Sequence, residues 1–110
     1  MDEVDKILTK AAKLIKKNGL ARGAYARNKN GVAVHASDKK AKTFCVVGAL
    51  IRVSKYPAEY RTADYHTALS RLMDSINKYE IPTWSDASSD STVVNSLLNA
   101  RTTLRKKNSK

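Results

Sequence analysis

The first apolar positions of the chain recur at helical spacing. Val4, Ile7, Leu8, Ala11, Leu14 and Ile15 follow an i, i+3, i+4, i+7 pattern, which predicts a helix over residues 3–18 with one buried face. Asp2, Glu3 and Asp5 stand at its start and Lys13, Lys16 and Lys17 at its end, the distribution that a helix dipole favours. Gly19 then suits the turn out of the helix. The period lapses over residues 20–36. There Ala24-Tyr25-Ala26 and Val32-Ala33-Val34 flank Asn28-Lys29-Asn30-Gly31, a turn signal that reads as a small hairpin or an ordered Ω-type loop. An isolated hairpin is marginal in water, so this one needs helices to pack on. Residues 37–43 are polar and basic and read as a loop or a first helical turn, with Ser37 or Thr43 as the N-cap.

Residues 44–55 are apolar nearly all round: Phe44, Cys45, Val46, Val47, Ala49, Leu50, Ile51 and Val53. A helix with so little polar face is a buried one; a strand is the alternative for so β-branched a run, and the length favours helix. Gly48 within it would let a neighbouring helix or the Tyr25 segment come close. Tyr56-Pro57 ends the run. A third helix is expected over residues 58–79, with Tyr65, Leu69, Leu72, Met73 and Ile76 buried and Glu80-Ile81-Pro82 as its stop. Residues 82–90, holding Trp84-Ser85-Asp86, read as a loop. The last helix starts near Ser91, carries Val93, Val94, Leu97, Leu98, Ala100 and Leu104 at helical spacing, and runs into a basic end, residues 105–110, that should fray. The pattern predicts one compact all-α domain of four helices, with an irregular or hairpin insert at about residues 20–43.

Composition agrees and adds a partner class. At 110 residues the chain has the size of one domain. Apolar residues make up 42% but aromatics only 6%, so the core must be built from aliphatic side chains, which suits packed helices. The single Cys45 excludes an internal disulfide and fits a reducing cytoplasm. No apolar run is long enough to span a bilayer, and the acidic opening Met1-Asp2-Glu3 is unlike a signal peptide. The net charge of +11 is uneven. Residues 20–55 hold eight bases against Asp38 alone, and residues 93–110 hold five bases and no acid, whereas residues 56–92 hold six acids against three bases. Such a field favours nucleic acid or an acidic protein surface. The candidate contacts are Lys6, Lys10, Lys13 and Lys17 along the outer face of the first helix, and Arg22, Arg27, Lys29, Lys39, Lys40 and Lys42 in the following loops. A solvated basic face explains the same residues without a partner.

Three short pieces combine rare residues with small ones: Gly23-Ala24-Tyr25-Ala26, Cys45-Val46-Val47-Gly48-Ala49-Leu50 and Trp84-Ser85-Asp86. In this order they resemble a family of short uncharacterised domains of bacteria and phages, a domain of unknown function. That family runs Gly-Ala-Tyr-Ala, Cys-Ala-X-Gly-Ala-Leu, Trp-Asn-Asp and then a C-terminal helix. Gly23 to Ala26 match the first motif; Cys45, Gly48, Ala49 and Leu50 match the second; Trp84 and Asp86 match the third, where Ser85 departs from Asn. The resemblance covers about residues 4–104 and implies a small α-rich fold without an assigned activity.

Enzymatic chemistry would need Cys45 as a nucleophile, activated at a helix N-terminus, with His35 or His66 as base and Asp86 to orient it. A buried, inert cysteine is the competing and stronger reading. One Cys and two distant His do not make a zinc site, and no cofactor motif is present. Trp84 and Asp86 read as core cap and turn residues, or with Tyr25 as the walls of a small-ligand pocket. The expectation is therefore a non-enzymatic binding module for nucleic acid or an acidic protein surface, such as a phage accessory protein acting on a host or defence nucleoprotein. The alternative is a small thiol hydrolase or small-ligand-binding domain using Cys45, His66, Asp86 and Trp84.

Overall fold

The computed structural model of the chain describes residues 3–54, 62–76 and 81–101. The first apolar stripe forms helix α1 (Glu3–Asn18), which buries Val4, Ile7, Leu8, Ala11, Ala12 and Ile15. The chain leaves it at Gly19, whose N–H donates to the Ile15 carbonyl at 2.7 Å. Helix α1 is the hub of the fold. It packs against α2 (Val46–Ser54), α3 (Thr62–Ile76) and α5 (Asp90–Asn99). Its Asp5 does more than complement the dipole: it is buried, and Arg71 of α3 donates to its Oδ1 at 3.2 Å. Charge position along α1 gives no hint of that partner, which lies 66 residues away.

The insert after α1 is a hairpin that gains a third strand. Strands β1 (Ala26–Arg27), β2 (Ala33–Val34) and β3 (Thr43–Phe44) form a sheet in the order β2-β1-β3. Both pairings are antiparallel, with Ala26 opposite Val34 on one side and Phe44 on the other. Residues 37–43 therefore do not begin a helix, and neither Ser37 nor Thr43 is its N-cap. Sheet pairing runs on to Cys45, whose N–H donates to the Tyr25 carbonyl at 3.0 Å, so helical geometry starts only at Val46.

Helix α2 is buried almost all round, as its composition requires; Val46 to Ile51 and Ser54 are buried. Its Gly48 is the point of closest approach to the sheet, because a Cβ there would overlap the Tyr25 carbonyl oxygen. Arg52, one of its few polar residues, crosses the Phe44 ring at 5.6 Å from the centroid. In α3, Tyr65, Ala68 and Leu72 are buried, with Leu69, Met73 and Ile76 packed at the edge of the core. The expected stop at Tyr56-Pro57, the ends of the 58–79 helix and the basic end at 105–110 lie outside the described residues.

The segment expected as a loop over 82–90 is helical in its first half: Ile81–Ala87 form α4. The proline that suggested a break falls in the first turn, where its missing N–H costs no intrahelical bond. Ile81 and Ser85, one helical turn apart, are both buried. Helix α5 follows at once, with Ser89 as its N-cap accepting from the Thr92 N–H at 3.2 Å. The fold is thus mostly α-helical with a minor β element, as the pattern predicts, but the described residues hold five helices rather than four.

Candidate functional site

The sheet order decides where the loop lysines lie. Strand β1 is central, so the turn that leaves it and the segment that leads into β3 meet at one end of the sheet. The Asn28–Gly31 turn is organised by Asn28, whose Oδ1 accepts from the N–H groups of Asn30 and Val32 at 2.9 and 3.0 Å. On the other side, the Lys42 N–H donates to the Arg27 carbonyl at 2.8 Å. Arg52 braces the approach by donating to the Ala36 and Asp38 carbonyls at 3.0 and 2.7 Å. As a result Lys29, Lys39, Lys40 and Lys42 line one open cleft of about 460 Å3 together with Asn28 and Asn30. No carboxylate among the described residues lines it. The nearest acid in sequence, Asp38, accepts from the Lys40 backbone N–H at 2.8 Å.

The other basic candidates have different fates. Arg22 is a strut between the sheet and the C-terminal helices: its guanidinium donates to the carbonyls of Asp86 and Ser88 at 3.2 and 2.7 Å and pairs with Asp90 at 3.4 Å. Arg27 clamps the hairpin, donating to the carbonyls of Arg22 and Gly31. Both guanidiniums thus serve the fold. Lys6, Lys10, Lys13 and Lys17 are exposed along α1 and do not line the lysine cleft.

The motif residues meet at a smaller cleft of about 210 Å3, lined by Gly23, Ala24, Tyr25, Cys45 and Asp86. Gly23 turns the chain with a φ of 77° and donates its N–H to Asp86 Oδ1 at 3.1 Å. Tyr25 keeps 52% of its surface exposed; it is its backbone that grips α2. Trp84 lies elsewhere, packed against the core. Ser85 between them is fully buried and caps α2, its Oγ accepting from the Val46 N–H at 3.2 Å. A short side chain with an acceptor oxygen is what that place needs, and Asn would also supply one. Sequence offers no sign of this cap, since donor and acceptor stand 39 residues apart.

The same cleft shows the state of the thiol. Cys45 is buried, and burial pushes its pKa up, with the Asp86 carboxylate acting in the same direction. Backbone N–H groups at the start of α2, that of Gly48 among them, oppose the rise without overcoming it. An activated nucleophile needs the opposite shift. Neither imidazole lines the cleft. His66 is exposed on α3, edge-on to Tyr65, and His35 is exposed with its Nδ1 accepting from the Ser37 N–H at 3.1 Å. Among the described residues no three His, Cys, Asp or Glu side chains converge as metal ligands, and no helix is long and apolar enough to cross a membrane.

No curated protein and no solved structure matches the chain. A family model does match, over residues 1–103 of the 110. Its span takes in the sheet, the Gly48 contact and all five helices, and on that match the chain belongs to the family of unknown function DUF6197.

Proposed function

We propose that this protein is a non-enzymatic binding module that contacts nucleic acid through the phosphate backbone. The observation that carries this reading is the lysine cleft: Lys29, Lys39, Lys40 and Lys42 line one concave surface with no acidic residue in its lining among the described residues. Lysine ammonium groups are compact, hydrated point charges that suit phosphate without demanding a fixed geometry. Asn28 and Asn30 complete the lining with polar side chains, Asn28 accepting through Oδ1 from the Asn30 and Val32 N–H groups. Among the described residues no aromatic side chain lines the cleft, so the contact is to phosphates rather than to stacked bases and is sequence-independent. Arg22 bonds to Asp86, Ser88 and Asp90 and Arg27 to the hairpin, and neither lines the cleft.

The test is a titration of a fluorescent DNA duplex between about 50 and about 200 mM salt. Four phosphate contacts predict a slope of log K against log salt of about −3 to −4. Replacing the four lysines by serine should remove most of that slope while leaving the fold intact. Failure to bind at low salt, or an unchanged slope in the variant, would refute the reading. Binding to polyglutamate but not to DNA would move it to an acidic protein surface.

A further inference from the structure

The widest of the three clefts described here is not the lysine cleft but a groove of about 600 Å3 between α1 and α5. It arises because α5 carries two adjacent apolar stripes. Val93 and Leu97 are buried in the core, whereas Val94 and Leu98, each the next residue along, are only partly buried and face the groove; just past the helix Ala100 is buried and Arg101 lines the groove. The opposite wall is a stripe of α1 at the same spacing: Thr9, Ala12, Lys13 and Lys16. Ala12 is small enough to leave depth where a larger side chain would fill the floor.

Charge makes this groove more than a packing defect. Lys13 and Lys16 rise from one side and are exposed. Arg101 closes one end and is held in place, donating through Nε to the Leu98 carbonyl at 2.9 Å and through an η nitrogen to Thr9 Oγ1 at 3.4 Å. Its second η nitrogen makes no hydrogen bond to the described residues. The one acid in the lining among the described residues, Asp90, is paired with Arg22 at 3.4 Å. An apolar floor with a basic rim and a pre-positioned guanidinium complements a segment that is apolar on one face and carboxylate-bearing on its flanks.

We infer that the α1–α5 groove docks an acidic amphipathic helix of a partner protein, with two apolar side chains one turn apart seated on Val94 and Leu98 and flanking carboxylates on Lys13, Lys16 and Arg101. This is the helix-in-groove mode, in which apolar anchors at i and i+4 give affinity and charge sets orientation. It is independent of the lysine cleft and leaves the protein able to hold two partners at once.

The probe is a designed helical peptide with leucines at i and i+4 flanked by glutamates, titrated into the full chain and followed by amide chemical shifts. Saturable shifts should centre on Lys13, Lys16, Val94 and Leu98. The exposed double change Lys13→Glu with Lys16→Glu should weaken binding about tenfold or more, and Leu98→Ser should weaken it without altering the far-ultraviolet spectrum. Changing Lys29, Lys39, Lys40 and Lys42 to serine should leave peptide affinity unchanged, which separates this surface from the proposed nucleic-acid contact. A scrambled peptide of the same composition binding equally well would overturn the inference. So would shifts centred on the lysine cleft, wild-type affinity in the double variant, or no binding.

Discussion

Gly48 shows how one absent side chain sets the geometry of two elements. The Tyr25 carbonyl lies where its Cβ would be, and the same carbonyl accepts from Cys45 at the start of α2. Gly48→Ala must therefore push the strand off the helix, and about 2–3 kcal/mol of stability should be lost, read as a lower urea midpoint. Cys45 makes a different prediction. Its folded-state pKa is raised, chiefly by burial, so above the ordinary thiol value of 9.0 the unfolded chain gives up this proton more readily than the folded one. Stability from this group is intact below pH 9.0 and is lost as pH climbs through the folded value. The measurable quantity is the fall in urea midpoint above that pH, which should be steeper for the wild type than for Cys45→Ala. The glycine and the cysteine could be singled out in the sequence as a small residue and a buried-type residue within an apolar run. From sequence the neighbour that presses on Gly48 could be named only as another helix or the Tyr25 segment, and the structure narrows it to one carbonyl oxygen, that of Tyr25.

Among the elements, the instructive case is α4. Seven residues make a helix too short to stand alone, and its proline reads locally as a break. It forms because Ile81 and Ser85 are buried against the rest of the protein, a gain invisible in the local pattern. In return Ser85 adds a cap from outside to the start of α2, where Cys45 Sγ already accepts from the Gly48 N–H at 3.3 Å. Ser85→Ala should cost about 1–2 kcal/mol, since the Val46 N–H is left in the interior without its acceptor. Thermal unfolding checks this, and a shift no larger than that of an exposed serine such as Ser91 would reject the cap. Strand β3 follows the same logic. A polar, basic run gives no strand period, and its pairing with β1 exists only once α1 and α2 have brought the two segments together.

At the scale of the molecule, the +11 charge is distributed over surfaces with different duties. Some of it is spent internally: Arg22, Arg27, Arg52 and Arg71 all donate to carbonyls or carboxylates that hold elements together. The lysines of the cleft and of α1 stay at the surface, where they repel one another. Added salt should therefore raise the urea midpoint of the wild type through screening, and should raise it less in the four-lysine serine variant. Equal responses would mean that the cleft lysines do not feel one another. The division of labour between arginine and lysine follows from their chemistry, since the planar guanidinium reaches several fixed acceptors and the ammonium does not. Charge counting along the chain cannot make that division, because it treats Arg22 and Lys29 alike.

Sequence alone determined the helices whose apolar stripes repeat at 3.6 residues, the turn at Asn28–Gly31, the buried character of α2 and the basic excess of the molecule. Each of these is a local property, set by spacing, turn chemistry or composition within a few residues. The tertiary structure alone decided that β1 is the central strand, that a proline-bearing segment is a helix and that Ser85 caps α2. It also decided that four lysines from two loops share one cleft while the two loop arginines do not. Those outcomes depend on contacts between residues far apart in the chain, and long-range pairing leaves no periodic trace in the order of amino acids.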